Sequence, residues 1–395
     1  MRIALYFPSR SVGGSENLFF RMGLILIREG HQLSVIDFND GYLVNELKGQ
    51  NAQFEHIVCD ERREATLPDG LELLLVNNFD FLELRKIRSN DHDMRLIVWE
   101  VHKCFYEFIK PSKKITSKIY SRLMGCILRH ILNLNGLVVL ENDAKKILIQ
   151  GRFKGLDNLP IVPIPIDVNS SVKRSHSRVG VKCLASIGRA VDWKIIPTAE
   201  MFRVLMESHR FDRYVFLTDD TEAAKVMWKQ LNPSSFDQVE FIEGYHGAEL
   251  DEYLLENVDI FIGMGTSVLE AGKLGIPSII IDSGEAPYPE NASVRLLCYN
   301  GNDNLGTLEP KVGGEHTISS AVELIMKEYL MYSDLTQEYV DNFHSYGKVY
   351  ESFIAAAEKS NLNFLEFLRS RLYCNLKRFL WLNQFRHFFK SRSLK

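Results

Sequence analysis

The sequence predicts an α/β protein of two parallel-sheet domains followed by a C-terminal basic helical tail. Three observations carry this. The chain has 395 residues, and at roughly 100–200 residues per domain that length calls for two or three. The first 40 residues read as strand, loop, helix, strand, a βαβ unit that commits a chain to a parallel sheet with right-handed crossovers. A second strand-and-helix series begins near residue 182, beyond a proline cluster and a polar, basic stretch.

Taken in order, Ile3 to Phe7 is a buried strand and Pro8 to Ser15, with two glycines, is a loop. Glu16 to Glu29 is helical, because Leu18, Phe19, Met22, Leu26 and Ile27 recur at helical spacing, and Gly30 is its stop. His31 to Asp37 is the next strand. Further strands are expected at Leu73–Val76, Leu96–Trp99, Leu137–Leu140 and Ile161–Pro163. Pro160, Pro163 and Pro165, then the stretch from Asn169 to Arg178, read as a linker. The second series holds strands at Lys182–Ile187, Tyr214–Leu217, Val239–Ile242, Ile260–Ile262 and Ser278–Ile281, with a helix from Pro197 to Ser208. The expected divisions are residues 1–168, 178–345 and 346–395. The last comprises a closing helix that crosses back and a basic aromatic tail.

Composition narrows the class. Hydrophobic residues at 46% and charged residues at 25% exclude a disordered, collagen-like or disulfide-scaffold chain. A net charge of −4 argues against a chain built to coat nucleic acid. Cys59, Cys104, Cys126, Cys183, Cys298 and Cys374 are scattered without a CxxC, as in a reducing compartment. The opening Met1–Phe7 ends at Pro8 and does not read as a signal peptide. No stretch reaches 18 apolar residues without charge, so no membrane span is expected. The reading is cytoplasmic, peripheral at a membrane.

In open parallel sheets ligands sit outside the carboxyl ends of the strands, so the loops there carry the chemistry. In Ser11-Val12-Gly13-Gly14-Ser15-Glu16 the glycines let backbone amides approach a ligand, and a helix start favours an anion. The spacing is not GxGxxG, and a plain βα turn reads equally from it. In Ser186-Ile187-Gly188-Arg189-Ala190-Val191-Asp192-Trp193-Lys194, a guanidinium and an ammonium five residues apart suit a diphosphate. Two solvated surface cations are the other reading. In Gly263 to Pro277, a Gly-rich turn leads into a helix near Thr266, where Gly265, Thr266 and Ser267 offer donors to an anion. Glu270 is placed to accept from ribose or sugar hydroxyls, or to pair with Ser267 in a capping box.

In this order the stretches resemble the GT-B glycosyltransferases, specifically the GT4-like retaining family. Gly13-Gly14-Ser15-Glu16 followed by Gly30-His31 resembles that family's opening, and Gly188-Arg189 with Lys194 its donor-diphosphate motif. Phe241-Ile242-Glu243-Gly244-Tyr245, Glu249-Leu250 and Asp259-Ile260-Phe261 resemble its later donor-domain pattern. Leu269-Glu270-Ala271 with Gly275-Ile276-Pro277 resembles the second half of its two-glutamate motif, and Phe343 to Val349 the segment before its closing helix. The resemblance covers roughly residues 1–358. The position of the family's first glutamate, eight before Glu270, is Ile262.

The resemblance implies two Rossmann-like domains forming a cleft, a nucleotide-sugar donor as substrate, and transfer with retention. It places Gly13, Gly14, Arg189, Lys194, Gly265, Thr266, Ser267 and Glu270 on the donor. His102, which follows the strand Ile97–Val101, is the catalytic candidate near the transferred sugar. Glu16 and Glu100 are candidate acceptor contacts. The departing diphosphate gains charge, which preorganised donors stabilise. The cleft loops lack DxD, so no obligatory metal and no cofactor is expected. Cleft closure calls for a hinge near residue 170. A saccharide or lipid-linked acceptor in cell-surface glycan synthesis, such as lipopolysaccharide or capsule, is the implied setting. A binding or scaffold protein that kept the fold but lost transfer, and a sugar-nucleotide 2-epimerase, are the competing classes.

Two segments hold the charge asymmetry. From Lys103 to Arg129 lie Lys103, Lys110, Lys113, Lys114, Lys118, Arg122 and Arg129 against Glu107, while Ile115, Ile119, Leu123 and Ile127 recur every four residues. From Asn361 to Lys395 lie Arg369, Arg371, Lys377, Arg378, Arg386, Lys390, Arg392 and Lys395 against Glu366, interleaved with aromatics including Trp381. Basic aromatic helices lie in membrane interfaces. Lys113, Lys114, Lys118, Arg371, Lys377, Arg378 and Trp381 are therefore the expected contacts with an anionic membrane. A helix packed on the first domain with solvated cations is the alternative, and no nucleic-acid partner is expected.

Overall fold

The structure is a computed structural model. It describes the chain apart from residues 12, 61–63, 102–114, 151–152, 154–155, 157, 169–180, 209, 234–235, 302–303, 308, 377 and 380–395. The chain divides into two compact units. One comprises Met1–Pro165 with Val349–Lys395, the other Ile166–Lys348.

The first unit is built on strands β1 (Arg2–Tyr6), β2 (Gln32–Asp37), β3 (Glu55–Val58), β4 (Ala65–Thr66), β5 (Leu73–Asn77), β6 (Ile87–Arg88), β7 (Arg95–Glu100) and β8 (Leu137–Val139). Six of them form one sheet in the order β3-β2-β1-β5-β7-β8, parallel throughout. Ile3, Ala4 and Leu5 are fully buried, as a strand covered on both faces requires. The helices are α1 (Gly14–Arg28), α2 (Tyr42–Gly49), α3 (Ile115–Asn133) and α4 (Asn142–Gln150). Gly30 stands at φ +78 beyond α1, the left-handed stop that glycine supplies most cheaply. Ile161 makes a single bridge to Val139 rather than the expected strand, since Pro160 and Pro163 flank it and cannot donate to a ladder.

The every-four-residue ladder in α3 does not face the core as a unit. Successive residues turn by about 100°, so each step of four drifts by about 40°. Ile119 ends 45% exposed, and the buried stripe is Met124, Ile127, Leu128 and Ile131.

The second unit repeats the plan. Its strands are β9 (Cys183–Ile187), β10 (Arg213–Thr218), β11 (Val239–Glu243), β12 (Ile260–Gly263), β13 (Ser278–Ile280) and β14 (Arg295–Leu296), in the order β11-β10-β9-β12-β13-β14. Only the β13–β14 pair at the edge is antiparallel. Its helices are α5 (Asp192–Glu207), α6 (Thr221–Leu231), α7 (Gly247–Asn257), α8 (Thr266–Gly272), α9 (Ile318–Lys327) and α10 (Tyr329–Phe343). Helix α5 begins five residues before the expected Pro197, which sits inside it. Lys194 therefore belongs to the first turn of a helix and not to the loop.

Helix α11 (Tyr346–Lys359) leads back to the first unit, followed by α12 (Phe364–Arg369) and helical residues 371–376. This segment is structural. Leu362, Phe364, Phe367, Tyr373 and Leu376 are buried in the first core, and Phe364 N–H donates to Met94 O at 2.9 Å. The aromatics that sequence placed at a membrane interface are, as far as residue 376, spent on packing. Among the described residues no helix is long and apolar enough to cross a membrane.

Candidate functional site

Each sheet has one topological switch point, where successive connections leave in opposite directions. In the second unit it lies between β9 and β12, which pair through Leu184 with Ile260 and Ala185 with Phe261. The loops after these strands carry Arg189 and Gly265, so two of the sequence candidates share one crevice edge.

Arg189 is exposed in the loop after β9, and Lys194 is half-buried one helical turn on. The Lys194 stem lies against Gly188, whose added Cβ would stand 3.5 Å from Lys194 Cδ. Its Nζ is 5.2 Å from the Trp193 ring centre. No carboxylate pairs with either cation among the described residues. Burial first, and then the Arg189 charge, push the Lys194 ammonium below its usual range; Asp219 acts weakly the other way. Two adjacent cations, one of them desolvated, concentrate positive charge at this edge of the sheet.

The loop after β12 turns at Gly265 (φ +64), whose N–H donates to Leu305 O at 2.6 Å. A Cβ at Gly306 would meet Met264 Cβ at 2.9 Å, so segment 304–307 braces this loop from behind. That brace had no signal in the sequence. Ser267 Oγ donates to Met264 O at 3.0 Å, so the Ser267–Glu270 capping box does not form. Glu270 instead pairs with Lys273 Nζ at 2.9 Å, and Lys273 reaches Asp251 of α7, also at 2.9 Å. All three side chains are at most 15% exposed. Burial opposes the Lys273 charge, but the Glu270 and Asp251 carboxylates outweigh it and hold the ammonium above its usual range. Sequence reasoning passed over Lys273, although a lysine three residues after Glu270 in an otherwise apolar run was its trace. Ile262, in place of the family's first glutamate, is fully buried within β12 and offers no polar group.

In the first unit the switch point lies between β1 and β5. Gly13 precedes α1, and a Cβ there would stand 2.5 Å from Glu16 Oε2. Glu16, 9% exposed, accepts from the hydroxyls of Ser9 (3.0 Å), Ser11 (3.2 Å) and Ser15 (3.0 Å). Its carboxylate thus organises the loop. Gly14 opens α1, with nothing within 4 Å of an added Cβ. Glu100 is 3% exposed at the end of β7. His102 and the expected hinge near residue 170 lie outside the described residues.

A cavity of about 470 Å³ opens at the carboxyl edge of this sheet, lined by Tyr6, Phe38, Asp60, Asp80, Glu83 and Lys86 among others. Asp80 Oδ2 accepts from Asn77 Nδ2 at 2.7 Å. Burial, opposed in part by that bond, pushes its carboxyl up to about 7. This cavity is not among the sites expected from the sequence; its trace there is the polar Asn77-Asn78-Phe79-Asp80 directly after an apolar strand.

Of the expected membrane contacts, Lys118, Arg371 and Arg378 are exposed. Lys113, Lys114, Lys377 and Trp381 lie outside the described residues.

No protein-family model and no curated protein matches the sequence. Solved structures do. A glycosyltransferase from Rickettsia africae aligns at TM-score 0.59 and 12% identity, over 91% of this chain and 98% of that one. Anabaena HepE in complex with UDP and glucose aligns at 0.57 and 13%, over 91% and 99%. Staphylococcus aureus TarM, solved with UDP, fondaparinux and an α-GlcNAc-glycerol, aligns at 0.57 and 10%, over 90% and 100%. These likenesses establish the fold: the chain carries the GT-B architecture of two Rossmann-like domains.

Proposed function

We propose that the chain is a glycosyltransferase of the GT4-like type that moves a sugar from a nucleotide-sugar donor to a saccharide or lipid-linked acceptor, with retention, in cell-surface glycan synthesis. The observation that carries this is the unneutralised Arg189–Lys194 pair at the switch point of the second sheet. A nucleoside diphosphate is the ligand class that supplies two adjacent negative groups there. On transfer the bond from the anomeric carbon to the diphosphate oxygen breaks, a bond to the acceptor hydroxyl forms, and the electron pair stays on the diphosphate. Arg189 and Lys194 hold that charge without solvent reorganisation, with Thr266 and the Ser267 backbone amide as further donors. The Gly265 N–H and the Ser267 hydroxyl are already given to Leu305 O and Met264 O, so Gly265 contributes the turn and not a donor.

Glu270, fixed by Lys273, is assigned to the ribose hydroxyls. Gly13 and Gly14 contribute amides, and His102 is assigned to the transferred sugar. Glu16 acts through the serine loop, and Glu100 remains the lesser acceptor candidate. The carboxyls of the first-unit cavity, beside Phe38, suit a hydroxyl-rich acceptor group. No metal or cofactor has a part in this scheme. The protein works at the inner face of the cell membrane. HepE and TarM, each solved with UDP and a saccharide ligand, support the reading.

The test is thermal stabilisation by a panel of nucleoside diphosphates and nucleotide sugars. A true donor at about 100 times its Kd adds about 2.7 kcal/mol, and Arg189→Ala and Lys194→Ala abolish the gain. A panel without effect removes the donor site. Buried Ile262, which leaves the family's first glutamate position without a carboxylate, favours a second reading, a sugar-nucleotide-binding scaffold. Donor binding with no transfer or hydrolysis identifies that case.

A further inference from the structure

Helix α3 and the C-terminal helices are more than two hundred residues apart in sequence but lie side by side. Tyr120 near the start of α3 stacks on Phe379 (centroids 6.1 Å), and His130 near its end stacks on Phe367 (6.4 Å). The two segments therefore run antiparallel. Both turn their apolar sides to the same core, α3 through Met124, Ile127, Leu128 and Ile131, the other through Phe364, Phe367, Tyr373 and Leu376. Their outward sides consequently form one surface. It exposes Lys118, Arg122 and Arg129 from α3 with Arg369, Arg371 and Arg378 beside them. Helix α3 contains no acid, nor do residues 367–379. None of these six cations is paired with a carboxylate among the described residues.

We infer that this composite face is an electrostatic platform for an anionic phospholipid surface, to which both segments contribute. The inference rests on the membrane placement proposed above and is independent of the donor site. Charge complementarity selects the partner. Each cation near an anionic leaflet contributes about 1 kcal/mol, and Phe364, Phe367 and Tyr373, buried in the core, are not offered for insertion. The same burial disfavours single-stranded nucleic acid, which is held by aromatics free to stack on bases. Attachment through this face is therefore salt-sensitive.

The experiment is co-sedimentation of the full chain with vesicles of phosphatidylcholine alone and with a third phosphatidylglycerol, at low and at 0.5 M salt. Three variants are compared with the parent: Lys118→Gln/Arg122→Gln, Arg371→Gln/Arg378→Gln, and all four together. The parent binds anionic vesicles only, and salt releases it. Each pair lowers partitioning roughly thirtyfold, from two cations at about 1 kcal/mol each. All sites are exposed, so thermal melting stays at the parental value and separates lost binding from lost fold. No parental binding to anionic vesicles, equal binding to neutral ones, or a loss confined to one pair each overturns the shared platform. Oligonucleotide binding that the same substitutions abolish, without vesicle binding, assigns the face to nucleic acid instead. Stabilisation by nucleoside diphosphates, measured alongside, shows whether the donor reading stands when the platform fails.

Discussion

Lys273→Met removes one ammonium and leaves a chain of nearly the same volume, so its effect isolates the charge. Lys273 is 9% exposed and holds Asp251 and Glu270 at 2.9 Å each. Without it two carboxylates remain, 11% and 15% exposed, close enough to repel. Removing one partner of a buried ion pair costs about 3–5 kcal/mol, because the charge left behind has lost its water and its counterion. For a unit the size of Ile166–Lys348, each kcal/mol moves Tm by roughly 2–4 °C, so the second unit should melt roughly 6–20 °C lower. Burial already pushes the Asp251 carboxyl up against the pull of Lys273. In the variant that upward push is unopposed, so the deficit shrinks as pH falls and a proton replaces the lysine. Thermal melting of parent and variant at two pH values tests both statements. On the proposed assignment of Glu270 to the ribose, donor affinity adds a further readout, since its displacement should weaken binding even at temperatures where the variant is folded. A variant that melts within a degree or two of the parent, with the same pH profile, would refute the view that Lys273 holds the site together.

Lys194→Met should raise Tm in the absence of ligand while abolishing stabilisation by nucleoside diphosphates. The folded ammonium sits below its usual range, so its charge costs stability at neutral pH. That cost disappears as pH rises through the unfolded value of about 10.4, and with it the variant's advantage; melting curves at pH 7 and pH 10.5 show the convergence. Asp80 carries the opposite slope. Its folded carboxyl titrates near 7 against 3.8, so the folded state holds the extra proton and stability falls as pH rises from about 4 to 7. The loss is roughly 1.4 kcal/mol per pH unit, capped at about 4 kcal/mol. Asp80→Asn, which keeps an acceptor for Asn77, should flatten that slope in urea melts. Gly13→Ala should cost about 1–2 kcal/mol and loosen the Ser9–Ser11–Ser15 clasp, because its Cβ meets Glu16 Oε2 at 2.5 Å. Limited proteolysis between β1 and α1 reports the loosening.

Much of this fold could be read along the chain because parallel strands buried on both faces write themselves as apolar runs. Leu73–Val76 and Tyr214–Leu217 are such runs, and both lie within strands. What failed was whatever depends on direction around an axis or on partners distant in sequence. Ile119 fits a spacing rule yet faces out, because a four-residue ladder drifts around the helix. Pro197 looked like a helix start and lies inside one, since the pattern gives no way to see the turn that precedes it. Edge strand β3, half-exposed with the sequence Glu-His-Ile-Val, lacks the apolar signature altogether. At the site, Arg189 and Lys194 were visible as charges, but their lack of counterions was not. Glu270 was visible as a carboxylate, whereas its tie to Lys273 and through it to Asp251 depends on the packing of α7 against α8.

The unneutralised pair and the buried triad make opposite demands on one unit. The buried Lys194 ammonium costs stability, and on the proposed reading a site that binds a diphosphate must not already hold a carboxylate. The triad places its charges where water is scarce yet pairs each of them, so Glu270 is held in one position before any ligand arrives. Pre-positioning spares a ligand the entropy of fixing Glu270 itself. If that division of labour holds, the stability lost at the loop after β9 and the order gained at α8 trade against each other. Lys194→Met combined with Lys273→Met should then bring Tm part of the way back toward that of the parent while remaining deaf to nucleoside diphosphates. The interactions described for the two sites have no partner in common, so their effects on Tm should add. A strongly non-additive Tm would mean that the two sites are coupled, and the division of labour would fail.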